Sequence, residues 1–267
     1  MIPILYESQT ISLQTLWVFV AVALLAGSYL SVQRLKRSRV DFTLFIEHSG
    51  TFFISALLCS RIFYFFLHTD AYMPSFDLRT LWNFVSIWDQ GFSFWGGALG
   101  FLVALLYRLH KSEENKWKWL DALVVPVIIG LGIGSVGTFL GGYSYGRPTE
   151  MPWGVRYEVY NVKYTVPVHP VQIYTLLFLM AVLFSKRWLG KRTNFFQREG
   201  NSTLYYTTVT SLGSFILEFF RGDDTLLILG VRLPMILFAL GFLISARLLY
   251  KRIRSYKSHS HESVQTA

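Results

Sequence analysis

From residue 13 to residue 32 the chain runs without a single charged side chain. A membrane-spanning helix needs roughly 20 predominantly apolar residues, because each residue rises about 1.5 Å through about 30 Å of hydrocarbon. This stretch meets that requirement in one piece. Residues 91–107, 122–145, 168–185 and 233–250 are built alike, the last carrying Arg247 near an end where it can snorkel to the interface. Two further runs are interrupted: 42–67 holds Glu47, His48 and Arg61, and 202–220 holds Glu218. Their flanks are too apolar for surface helices, so both count as spans. The expectation is an all-α, polytopic membrane protein with seven transmembrane helices over residues 1–254.

Composition agrees. Hydrophobic residues make up 52% of the chain and charged residues 15%, against about a quarter charged in soluble proteins. The 23 Phe, 15 Tyr and 8 Trp exclude a disordered chain. A lone cysteine, Cys59, permits neither an internal disulfide nor a cysteine-built zinc site. A net charge of +9 is compatible with nucleic-acid binding, but the positions of the charges argue against it. Arg34, Lys36, Arg37 and Arg39 follow the first span; Arg108, Lys111, Lys116 and Lys118 the third. Lys186, Arg187, Lys191, Arg192 and Arg198 follow the fifth, and Arg247, Lys251, Arg252, Arg254 and Lys257 the seventh. Cytoplasmic loops hold such residues in excess, which places the N-terminus outside and the C-terminus inside, and the basic loops read as an anchor to anionic lipid. The N-terminus has no basic n-region and offers Glu7, so no cleavable signal peptide is expected. Residues 255–267 are polar and expected to be a disordered cytoplasmic tail, whose His259 and His261 are too sparse for a metal site. No metal or cofactor is expected. The chain has no internal repeat, which leaves an inverted-repeat transporter without support.

Polar groups at membrane depth are expensive unless paired, which makes each a candidate site. Arg61, with Tyr64 three residues on and on the same helical face, reads either as a cation for a lipid phosphate or as a structural arginine paired with Glu218 or snorkelling. Glu47 and His48 read as a structural pair at the inner interface, and Asp121 as a carboxylate complementing a helix dipole. Glycines 130, 132, 134, 137, 141, 142 and 146 allow close approach of helices or of a ligand. The run ends in Tyr145-Gly146-Arg147-Pro148 and then Pro152-Trp153-Gly154, a turn-rich exit that suits a headgroup site better than a helix seam. His169-Pro170-Val171-Gln172-Ile173-Tyr174 opens the fifth span, with Pro170 suited to a first helical turn and Gln172 on nearly the same face as His169. Residues 142–167 form an outward head loop.

Taken in order, Arg61-x-x-Tyr64, Ile87-Trp88 to Gly97 with Ser93-Phe94 and Gly96-Gly97, Gly132 to Pro148, His169 to Tyr174 and Glu218-Phe219-Phe220-Arg221 resemble the prolipoprotein diacylglyceryl transferases of bacterial inner membranes. The resemblance covers nearly the whole chain. It implies a cavity in which phosphatidylglycerol donates its diacylglyceryl group to the lipobox cysteine of a prolipoprotein, whose signal peptide would be the protein partner, with release of glycerol phosphate. Thiolate formation and a leaving phosphate call for fixed donors and positive charge in a water-poor cleft.

The chain departs from the family's pattern where that chemistry resides. Trp95 stands where the family has a histidine, Ser135 where it has an arginine, and Thr138 and Tyr143 where it has an asparagine and a glutamate. Thr175 replaces a glutamate, Ser214 replaces a second arginine, and Leu16-Trp17 stands at the first-span Tyr-Gly. A Trp cannot shuttle a proton, and a Ser cannot meet phosphate with charge. The residues retained as lipid- or phosphate-binding candidates are Arg61, Tyr64, Gly146, Arg147, Gln172, Glu218 and Arg221; His169 and Tyr143 are the candidate proton acceptors. The expectation is a transferase-like protein that lacks or has altered the standard activity, a lipid-binding or accessory factor in lipoprotein or envelope biogenesis. The alternative is a working lipid transferase that uses Arg61, Arg147, Arg221 and His169.

Overall fold

The structure, a computed structural model, describes residues 2–8, 12–68, 82, 84, 91–159, 162–191 and 193–265. The Ile87-Trp88 pair lies outside the described residues. Eight helices occur among them: α1 Thr15–Arg37, α2 Thr43–Glu47, α3 Ser49–Leu67, α4 Phe94–Lys111, α5 Lys116–Gly141, α6 Val171–Gly190, α7 Asn201–Leu217 and α8 Leu233–Gln265. Two small antiparallel hairpins accompany them, β1 Ile4–Glu7 with β2 Ser12–Gln14, and β3 Leu227–Ile228 with β4 Val231–Arg232. The protein is thus mainly helical, not purely so.

Each of the seven expected spans contains a long helix, but five are long and apolar enough to cross a membrane: α1, α3, α5, α6 and α8 over Leu233–Ser255. The 18-residue α4 is diluted by three glycines and by Arg108 and Lys111, and the 17-residue α7 by its serines and threonines. The run 42–67 is broken: α2 stops at Glu47, His48 sits between helices with φ −101°, and α3 starts at Ser49. Glu218 leaves α7 and enters a 3-10 turn, Glu218–Phe220. At the far end α8 runs on to Gln265. The long helices turn leucines and phenylalanines outward, such as Leu25, Phe66 and Phe184, as hydrocarbon-facing helices do.

The chain divides into two compact units, residues 35–119 and residues 1–34 with 120–267. In the first, α3 and α4 pack at short range through glycine. A Cβ on Gly96 would meet the Cys59 carbonyl at 2.5 Å, and one on Gly100 would overlap the Ser55 carbonyl. Hydroxyls fasten the pair, Ser55 donating to the Gly100 carbonyl (3.0 Å) and Ser60 to that of Ser93 (2.8 Å). This is the small-residue seam typical of membrane helices.

In the second unit five helix ends meet at one side. The Tyr143 hydroxyl after α5 lies 3.5 Å from Gln14 before α1; Gly146 bonds to His169 ahead of α6, and Gly222 after α7 bonds to Tyr145. Glu218 at the end of α7 pairs with Arg232 at the start of α8. The opposite ends gather the basic connections: Asp121 of α5 accepts from the Gly200 and Thr203 amides at the start of α7 (2.6 and 2.7 Å), and Arg252 of α8 donates to the Glu199 carbonyl and to Asn201. Asp121 is therefore a carboxylate cap on α7, in keeping with its expected role beside a helix dipole but on a different helix. Of the α5 glycines, Gly137 is pressed onto Phe19 of α1, whereas Gly134 has nothing within 4 Å of the position a Cβ would take.

Candidate functional site

The head is built on a strip of backbone. After α5 the chain turns through Gly142 and Ser144, both at positive φ (73° and 58°). Tyr145, Tyr157 and Val168 then close a buried cluster with Phe139, Val155, Val159, Val162 and Tyr164. Over it three strands of chain clasp one another. Gly146 donates to the His169 carbonyl (3.0 Å), His169 to the Arg147 carbonyl (3.0 Å), Arg147 to the Phe220 carbonyl (2.8 Å) and Gly222 to the Tyr145 carbonyl (3.0 Å). The approach is tight enough to require glycine twice: a Cβ on Gly146 would overlap the His169 carbonyl, and one on Gly222 would overlap that of Gly146. The sequence-predicted residues Gly146, Arg147, His169 and Arg221 are thereby drawn together.

Beside the clasp lies an ion network of two arginines and two carboxylates. Arg221 reaches Glu218 (3.2 Å) and grips Asp223 with two bonds, at 2.8 and 2.5 Å. Arg232 binds Glu218 (3.0 Å), Asp223 (2.8 Å) and the Asp223 carbonyl (2.8 Å). Glu218 is 3% exposed, so its charge is tolerable only because both oxygens are paired. Arg221 is in consequence committed to carboxylates of its own chain, and Arg232, which sequence reasoning missed, is its counterpart. The signal available was position: Arg232 is the last charged residue before the closing apolar run.

Arg147 differs. Its Nε donates to the Arg221 carbonyl at 3.2 Å, and its exposed guanidinium borders an open depression of about 320 Å³ lined also by Pro148, Lys163, Tyr164, Arg221 to Thr225, Leu227 and Arg232. Lys163 bonds Asp224 at 2.6 Å across the rim, and that bond raises the lysine pKa above its ordinary value. Four cations face three carboxylates, counting Glu218 just beneath, so the depression keeps positive character at its Arg147 side.

His169 is half-buried. Its Nδ1 lies 3.1 Å from the Tyr174 hydroxyl, and that oxygen accepts from Trp153 Nε1 at 2.7 Å. An indole N–H can only donate, which leaves the phenol proton for Nδ1 and favours the ring hydrogen on Nε2. His169 so arranged presents a donor. Gln172 lies inside α6, 2% exposed, donating to the Tyr143 carbonyl (2.6 Å) and accepting from Tyr157 (3.3 Å); it ties the head to the helix. Burial pushes the Tyr157 phenol up to about 12, partly offset by its bond to Gln172.

Arg61 and Tyr64 lie in the other unit. Arg61 is 3% exposed, donates to the Gly91 carbonyl (2.9 Å) and the Phe84 carbonyl (3.2 Å), and sits over the Phe65 and Phe92 rings. A Cβ on Gly91 would strike both Arg61 and Tyr64, 2.8 and 2.5 Å away, which puts the two side chains on one face as expected. Tyr64 also stacks on His68. Ser135 and Thr138 turn their hydroxyls back into α5, onto the Leu131 and Ser135 carbonyls (2.9 and 3.0 Å). Among the described residues no group of three or more His, Cys, Asp or Glu is placed to hold a metal.

The family described as Prolipoprotein diacylglyceryl transferase matches residues 3–255. Among curated proteins, the chain is 35% identical over 172 residues to the phosphatidylglycerol–prolipoprotein diacylglyceryl transferase of Polynucleobacter necessarius subsp. necessarius, a match spanning 63% of each chain. It is 28% identical to that of Thermosynechococcus vestitus, over 81% of this chain and 80% of the relative. With that of Mannheimia succiniciproducens it shares 29% identity over 83% and 80%.

Proposed function

The chain belongs to the prolipoprotein diacylglyceryl transferase family, and from that premise we propose that it holds an anionic phospholipid headgroup, phosphatidylglycerol foremost, at the Arg147 side of the head without carrying out the family's standard transfer. Transfer to a thiol forms a carbon–sulfur bond, breaks the carbon–oxygen bond to phosphate, and needs an acceptor for the thiol proton. Trp95 supplies no such acceptor. Ser135 and Thr138 offer hydroxyls already given to their own helix, and no charge for the departing phosphate. The observation that carries the binding reading is the Arg147 guanidinium, exposed over the depression with one carbonyl contact, in a fork geometry suited to phosphate. His169, arranged as a donor on Nε2, fits an anion better than it fits a base.

On this reading the protein lies in a bacterial inner membrane with seven spans, the head outside and the basic helix ends in the cytoplasm, and acts as a lipid-binding or accessory factor in lipoprotein biogenesis. Prolipoprotein signal peptides are its protein partner. One observation favours the alternative, a working transferase: the Trp153–Tyr174–His169 chain is a ready means of orienting an imidazole.

Binding of labelled phosphatidylglycerol to the purified full chain in nanodiscs tests the proposal. Arg147→Ala should weaken binding about tenfold, equivalent to one charge-assisted contact of about 1.4 kcal/mol. Unchanged affinity in Arg147→Ala would remove the headgroup site.

A further inference from the structure

Between the ion network and α8 the chain makes its smallest hairpin. Leu227 pairs with Arg232 and Ile228 with Val231, leaving Leu229 and Gly230 as a two-residue turn. Both turn residues have positive φ, 51° and 79°. Turns of this kind favour Asn-Gly or Asp-Gly, because a branched side chain is strained in the left-handed region. Here the first position is a leucine that is 99% exposed. Leu227, Ile228 and Val231 beside it are 60%, 41% and 43% exposed. An aqueous turn gains nothing from a strained, bare leucine where asparagine is the favoured residue. Such a residue is explained when the turn does not face water.

The hairpin's position states what it faces. Its base is fixed, since Arg232 is held by Glu218 and Asp223 and Leu233 donates to the Leu226 carbonyl at 2.9 Å. The next residue begins α8, which is long and apolar enough over Leu233–Ser255 to cross a membrane; its first turns are half-buried, and farther along it turns Leu240, Leu243 and Ile244 outward, so the hairpin tip stands at the head of a helix with a hydrocarbon-facing side. The side of the hairpin base carries Arg147, Lys163, Asp223 and Asp224. An apolar tip on a charged base, adjoining a spanning helix, is the build of an interfacial anchor, with the tip about 5–10 Å into the boundary between headgroups and acyl chains.

We propose that the hairpin of Leu227 to Arg232 inserts its Leu229 tip into the phospholipid leaflet and holds the adjoining depression at the depth of lipid phosphates. This deepens the headgroup reading and uses it only for the depth assigned to Arg147. The hairpin needs no anionic lipid, because its own contact is apolar.

The test uses the full chain with Cys59→Ala and Leu229→Cys, labelled with an environment-sensitive dye and reconstituted in vesicles of phosphatidylcholine alone. A second sample carries the label at Glu150→Cys, an exposed head position. The Leu229 label should emit at shorter wavelength, be quenched by a lipid-borne quencher and be shielded from aqueous iodide, unlike the Glu150 label. Equal iodide quenching at the two positions would overturn the anchor. So would shielding that develops only when an apolar signal peptide is added, which would make the tip a peptide-docking surface. As an independent arm, Leu229→Asn should leave or raise the melting temperature in detergent, since it relieves the turn, while phosphatidylglycerol affinity in nanodiscs falls several-fold; unchanged affinity would contradict the depth assignment. Loss of shielding with intact Arg147-dependent binding refutes the anchor alone, and the converse refutes the headgroup site alone.

Discussion

Arginines of this chain look interchangeable in the sequence and are not so in the fold. Arg221, a retained family residue, is pinned between Glu218 and Asp223, and Arg232, without a motif to mark it, completes the square. Removing one partner of a buried pair exposes the others to an unbalanced charge in a dry environment. Arg232→Ala should therefore lower stability by about 2–4 kcal/mol, read as a large fall in the detergent melting temperature, while Arg147→Ala leaves the melt nearly unchanged because its side chain is exposed. Tyr157 supplies a pH signature. Its phenol stays neutral in the fold to about 12 and in an unfolded chain to about 10. Its contribution is complete below about pH 10 and is lost as pH rises toward 12. Alkaline melts should show that loss, and Tyr157→Phe should abolish this component. None of these pairings was legible from residue type alone, because which carboxylate meets which guanidinium is decided by a turn between helices. The position of Arg61 and Tyr64 on one face was legible, since helical spacing fixes it.

At the level of elements, the long apolar runs were readable because hydropathy over twenty residues leaves few alternatives, and each expected segment holds a helix. What the pattern did not resolve was interruption. His48 separates α2 from α3, and the nearest glycine, Gly50, lies inside the first turn of α3 and not at the break. Glycine was half-legible: the run in α5 signals close approach, but Gly137 meets a neighbour while Gly134 meets none, a difference that spacing does not reveal, since residues three apart share a helix face. The capping of α7 by Asp121, 79 and 82 residues distant from the amides it holds, was beyond any local pattern. Asp121→Ala should cost about 1–2 kcal/mol and increase hydrogen exchange at the first turn of α7 selectively, with the α8 amides unaffected.

Across the molecule, the family was legible in the sequence, and within the second unit the connection that carries Glu199, with Arg252 of α8, lies at the end opposite the head. On the reading proposed above, the family's scaffold encloses a headgroup site while Trp95 and Ser135 leave it without the means to move a proton or to stabilise a leaving phosphate. The most direct test of that reading is a transfer assay in phosphatidylglycerol vesicles with a lipobox peptide, run beside a relative that carries the family's histidine and arginine at the positions of Trp95 and Ser135. Diacylglyceryl-modified peptide should form with the relative and not with this chain. Modified peptide and free glycerol phosphate appearing in equal amounts with this chain, and disappearing in His169→Ala, would contradict the proposal.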